Sequence, residues 1–148
     1  MPANFGIGTP ACGKRGRMQA DAQNLTGVWN GLYSYPNGRS VTFVATLIDS
    51  GSTLTGSTHE PCVGGDCPAG TLFATLLGGR SGSAVTFRKT YDGAGPRYGT
   101  VNYEGALNAD ATEIAGRWMI PGVWSGKFMM IRPLREGVRA EAAVSQRA

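Results

Sequence analysis

Histidine is nearly missing from this chain: His59 is the single one in 148 residues. A zinc site needs about four N, S or carboxylate ligands, and one His with three scattered cysteines does not assemble one. The same scarcity removes a Ser/His/Asp relay. No paired carboxylates stand at catalytic spacing, and no phosphate-cradling glycine motif runs into a helix. The expectation is a protein that is not an enzyme, with no metal and no cofactor. Charged residues make up only 16% of the chain and hydrophobic ones 41%, a balance that argues against a disordered chain, a coiled coil or a helical bundle. No apolar run approaches the roughly 18 residues of a membrane span, so no membrane role is expected. The opening segment MPANFGIGTPACGKRGRMQA has no continuous apolar stretch of the kind a secretory signal carries. Cytoplasm is the default expectation for its location.

Cysteine is scarce too. Cys12, Cys62 and Cys67 are too few for a disulfide framework. Cys62-Val-Gly-Gly-Asp-Cys67 closes a small disulfide loop in an oxidising compartment, or remains two ordinary loop thiols in a reducing one. The net charge of +4 is spread unevenly: residues 1–24 carry +2, residues 25–133 carry +1 and residues 134–148 carry +1. Nucleic-acid binders concentrate Lys and Arg on one face of the folded module. Here the body is close to neutral, so no nucleic-acid partner is expected.

Glycine, by contrast, is abundant at 23 residues, about twice its usual share. The length fits one domain. Residues 1–24 read as a flexible arm and residues 134–148 as a solvated tail. Between them, residues 25–133 show short alternating runs at 25–35, 40–48, 53–60, 71–78, 83–91, 97–106, 112–120 and 122–132. The separators are hairpin chemistry: Pro36-Asn37-Gly38, Asp49-Ser50-Gly51, Gly78-Gly79-Arg80-Ser81-Gly82, Asp92-Gly93-Ala94-Gly95-Pro96, Asn108-Ala109-Asp110 and Pro121-Gly122. No gap holds a crossover helix, so sequential antiparallel pairing follows. Mid-strand glycines at Gly31, Gly56, Gly99, Gly105, Gly116 and Gly126 favour the sharp coiling of a small closed barrel. The expected fold is all-β, a single eight-stranded antiparallel up-and-down β-barrel.

Gly27-Val28-Trp29 opening the first strand and Arg132 ending the last resemble the calycin signature. There an indole plugs one barrel end and a basic side chain packs over it, as cation–π physics favours. Leu25-Thr26-Gly27-Val28-Trp29, Thr53-Leu54-Thr55-Gly56-Ser57, the run Gly82 to Tyr91, and Ile114-Ala115-Gly116-Arg117-Trp118-Met119-Ile120 are similar to strands one, three, five and seven of the avidin and streptavidin family. The resemblance spans roughly residues 25–132. It implies a lipocalin-like barrel that binds a small molecule inside and associates through barrel faces. Trp118 falls where that family stacks biotin, with Phe87 and Tyr103 at two further aromatic positions. The polar contacts are not retained. Gly31 replaces the ureido-binding Asn, and Tyr35 a Ser of the first hairpin. Thr58 and Glu60 replace a Tyr and a Ser, Val101 replaces a hydroxyl residue, and the last strand offers no Asp. Each buried hydrogen bond left unmade costs about 1–3 kcal/mol, so tight biotin binding is not expected.

Placing Trp29 inward sets the parity of each strand through the period of two. The inward set includes Tyr33, Tyr35, Phe43, Thr58, Phe73, Phe87, Tyr103, Trp118, Phe128 and Met130. Large rings beside missing side chains either interdigitate or leave a cavity; an eight-stranded barrel has room for either. The leading expectation is a barrel taking a small, mostly apolar or aromatic ligand. Its contacts would be Tyr33, Tyr35, Thr58, Phe87, Tyr103 and Trp118. The alternative is a packed barrel acting through its surface as a protein-interaction or inhibitor-like module. His59 and Glu60 are expected at the rim, exposed to solvent. On the outward face, Met119, Val123, Met129 and Ile131 form an apolar set expected to carry a homodimer or tetramer interface, unless the C-terminal segment covers it.

Overall fold

Period-two alternation is written into the chain from Gly27 onward, and the strands follow it. The computed structural model describes residues 23–62, 70–92 and 99–134. The expected arm (residues 1–24) and tail (134–148) therefore lie almost wholly outside the described residues, as do Cys12 and Cys67. Eight strands run in chain order: β1 Gly27–Ser34, β2 Ser40–Asp49, β3 Thr53–Pro61, β4 Thr71–Ser81, β5 Ala84–Tyr91, β6 Thr100–Leu107, β7 Glu113–Ile120 and β8 Trp124–Ile131. Each pairs antiparallel with its neighbours, and β1 pairs with β8 from Asn30↔Ile131 to Ser34↔Lys127, so the sheet closes into a barrel without a free edge.

Two local readings are corrected. β4 does not stop at Gly78 but runs on through Gly79 and Arg80 to Ser81, and the turn falls at Gly82-Ser83. Gly78 is an in-strand close-approach glycine: a Cβ there would run into the Thr86 carbonyl and the Phe87 backbone of β5. Phe73 points outward and is 52% exposed, while Leu72, Ala74 and Leu76 point in. Both parities of β4 carry apolar residues, so hydrophobicity does not mark its inner face, and the barrel takes the smaller Ala74 inside.

The interior is layered. At one end, here the lower end, Trp29 sits among Leu25, Leu47, Leu54, Val85, Ile114 and Met130, all essentially dry. The Trp29 indole N–H donates to the Leu25 carbonyl at 2.9 Å. The Arg132 guanidinium lies 4.4 Å from the centre of the Trp29 ring and donates to the Ala111 carbonyl at 2.9 Å. Asp49 ties the same end together, accepting from the Leu25 N–H and from Arg80, both at 3.0 Å. These bonds fix the lower end through an aliphatic layer and a satisfied polar ring.

Candidate functional site

At the upper end the lining turns aromatic and polar. Strand β1 sends in Tyr33, β2 Phe43, β3 Thr58 and Glu60, β5 Phe87, Lys89 and Tyr91, β6 Tyr103, β7 Trp118 and β8 Phe128, each by the same alternation that buries the aliphatic layer below. The expected ligand-contacting residues Tyr33, Thr58, Phe87, Tyr103 and Trp118 all face this space. Tyr35, half-buried, stands between Trp118 and the exposed Trp124, with ring centroids 5.4 and 4.8 Å away.

Much of the volume is filled by rings lying over glycines. A Cβ on Gly31 would strike the Phe43 ring, one on Gly105 would meet Phe128, and one on Gly126 would meet the Trp118 indole. Large and absent side chains thus interdigitate at these three positions. The Trp118 N–H donates to the Ser34 carbonyl at 2.9 Å, and the Phe87 and Tyr103 rings stack at 4.8 Å with 14° between their planes.

The feature that sequence reasoning missed is an ion pair inside the barrel. Glu60, expected as a solvated rim carboxylate, is 2% exposed, and Lys89 is 1% exposed. Their Nζ and Oε1 atoms are 2.5 Å apart. The phenol of Tyr33 donates to Glu60 Oε2 at 2.5 Å, and that of Tyr91 to Oε1 at 3.1 Å. The Lys89 ammonium is also ringed by aromatic faces, with Tyr91, Phe43, Tyr33 and Tyr103 centroids 4.8, 5.0, 5.1 and 5.8 Å from Nζ. Burial pushes the Lys89 amine below its ordinary value, opposed by the neighbouring Glu60 carboxylate. Burial likewise raises the phenols of Tyr33, Tyr91 and Tyr103 well above theirs, and the negative charge of Glu60 adds to it. Alternation was the available signal. Once Thr58 and Phe87 point in, Glu60 and Lys89 must point in two residues later.

Thr58 is 3% exposed, and its hydroxyl has no hydrogen-bond partner among the described residues. It pairs with Ala45 on one side and Ala74 on the other, so only methyl groups flank it along the wall. His59, one residue on, points out as expected. It lines a cavity of about 410 Å³ with Asn30, Thr42, Val44 and Thr71, to which Phe43 and Glu60 also contribute. Cys62 is disulfide-bonded; its expected partner Cys67 lies outside the described residues. No group of three or more His, Cys, Asp or Glu suited to a metal ion occurs among the described residues.

Met119, Val123, Met129 and Ile131 are all exposed, but they do not form one patch. The cross-strand pair Arg117↔Lys127 lies between Met119 and Met129. Met129 and Ile131 instead continue onto β1, where Leu32 pairs with Met129.

No family model and no curated protein matches the chain. Among solved structures the chain is similar to a de novo designed fluorescence-activating β-barrel, with a TM-score of 0.55 and 13% identity over 78% of this chain and 98% of the other. A redesigned β-barrel is similar with a TM-score of 0.60, again at 13% identity, over 78% of this chain and 96% of the other. At that identity the likeness is one of fold: an eight-stranded antiparallel barrel.

Proposed function

We propose that the protein is a binding protein, acting without turnover, that takes a small, flat, largely apolar ligand into the upper half of its barrel. The observation that carries this reading is the Thr58 hydroxyl, buried at an inward-facing position and without a hydrogen-bond partner among the described residues. Leaving such a group without a partner costs about 1–3 kcal/mol, which a ligand acceptor or donor would return. Lys89 offers a second anchor: among the described residues its ammonium has one polar partner, Glu60, and four aromatic rings surround it. A ligand carrying a carbonyl or carboxylate at one end of an apolar body matches both, with Phe87, Tyr103 and Trp118 as the faces against it. The avidin-like reading is supported by the Trp29 and Arg132 packing and by Trp118 at the upper end. Biotin itself is a poor fit, since Gly31, Tyr35 and Val101 stand at positions where the resemblance puts polar contacts, and Glu60, at another, is held in a buried ion pair with Lys89.

A titration of aromatic acids, aldehydes, alcohols and solvatochromic dyes, followed by tryptophan fluorescence and thermal shift, tests the proposal. Saturable binding that weakens at least tenfold in Thr58→Val is the expected result. A flat response across the panel would sink it. A second reading, a packed barrel acting through its surface, draws on the rings seated over Gly31, Gly105 and Gly126, and on the outward apolar strip Leu32, Met129 and Ile131. That strip is proposed as a homodimer face.

A further inference from the structure

We propose that Lys89 captures carbonyl compounds covalently, its amine condensing with an aldehyde carried on a flat apolar body to form an iminium inside the barrel. The inference rests on the reading of the upper barrel as a ligand site and names the ligand class. Three features of the geometry point there.

Lys89 Nζ stands 2.5 Å from a single carboxylate oxygen of Glu60. A proton acceptor is therefore already in place for the ammonium, and a lysine must lose a proton before it can act as a nucleophile. Tyr33 and Tyr91 donate to that carboxylate from two directions, so Glu60 is held in position. The four aromatic faces around Nζ then give the cationic product the same favourable surroundings as the ammonium it replaces. Desolvation weakens the ammonium further.

The step balances without a further reactant. Glu60 takes one proton from the ammonium, and the nitrogen lone pair attacks the carbonyl carbon. The π pair moves to oxygen, which takes the proton back from Glu60. A second N–H proton then passes to Glu60 and on to the hydroxyl, which leaves as water while the nitrogen lone pair closes the C=N bond. The ammonium and the aldehyde have become an iminium and one water, and Glu60 ends as the carboxylate it was. The positive charge beside it is preserved, so the ion pair survives the reaction.

Lys127 is the internal control. It is exposed on β8 and has no carboxylate within ion-pair distance among the described residues. The protein is incubated at pH 7 with trans-cinnamaldehyde and sodium cyanoborohydride, which reduces an iminium to a stable secondary amine, and the adduct is mapped by peptide mass. Labelling of Lys89 at least tenfold faster than of Lys127 is expected, with no adduct at position 89 in Lys89→Arg and at least tenfold slower labelling of Lys89 in Glu60→Gln. Cinnamyl alcohol, which cannot condense, is titrated against the parent in parallel. If the alcohol binds but Lys89 is labelled no faster than Lys127, covalent capture is overturned and the ligand site stands. If the alcohol does not bind and no adduct forms, both are overturned. The parent mapping needs no variant, so a misfolded Lys89→Arg would not obscure the answer.

Discussion

Glu60 on β3 and Lys89 on β5 meet across the inner face of β4, where Ala74 contributes only a methyl group. Two charges that left water together depend on each other. Removing one leaves the other buried and uncompensated, at about 3–5 kcal/mol, whereas replacing both with apolar groups of similar size is often neutral or better. Lys89→Met is therefore expected to lower stability by about 3–5 kcal/mol and the double variant Lys89→Met, Glu60→Leu by much less. Denaturant unfolding of the four proteins of the cycle reads the coupling. Additive losses would mean that the pair is not formed in solution.

The phenols of Tyr33 and Tyr103 are held neutral far above their usual range. Their folded values are raised, so the stability they confer is complete below the unfolded value near pH 10 and declines as pH climbs past it, because only the unfolded chain then releases the protons. Each contributes a slope of about 1.4 kcal/mol per pH unit there. Stability is expected to fall steeply above pH 10, with phenolate absorbance from these residues rising only as the barrel unfolds. Titration of all phenols ahead of the loss of circular dichroism would contradict their burial.

Trp29 is wholly buried and carries the Arg132 guanidinium on its face. Trp29→Ala is expected to cost about 3–5 kcal/mol, as deletion of a large buried aromatic does. Arg132→Met should cost less, since the apolar stem can still cover the indole. A Trp29→Ala protein that melts within a few degrees of the parent would remove Trp29 from the role of plug.

The outward strip of Leu32, Met129 and Ile131 predicts self-association. Sedimentation of the parent is expected to show a dimer, and Met129→Lys with Ile131→Lys should release monomers. A parent that runs as 15.5 kDa at high concentration would refute it. The Arg117 and Lys127 pair also separates Met119 from this strip, so Met119→Lys should leave the association unchanged.

Period-two alternation made most of the barrel legible before any coordinates. Turn chemistry located the hairpins, and fixing Trp29 inward sorted nearly every side chain. The differences lie where residue type and position disagree. Phe73 points out although it is large, and Glu60 points in although it is charged. Lys89 also points in, two residues beyond the inward Phe87. A buried charge is costly alone, so a single strand read by itself argues against burying either. Only the pairing of β3 and β5 with β4 between them brings the two charges together. The pair Gly78-Gly79 likewise resembles a turn in the sequence, because the close approaches that require them are to β5 for Gly78 and to the Ser52 carbonyl for Gly79, not to their own strand.

Closure of β1 on β8 leaves the strands in a ring in which first and last are positions of the chain and not of the architecture. The Arg132 guanidinium reaches the Thr26 carbonyl at 3.3 Å, so a few residues of linker would join the two ends of residues 25–133 across the plug. Cutting the Tyr35–Arg39 hairpin instead would give a circular permutant with the same eight neighbour relationships, the same interior and new termini at the opposite end. The seam that nature left beside Trp29 would then be covalent, and the indole would be held from both sides by continuous chain.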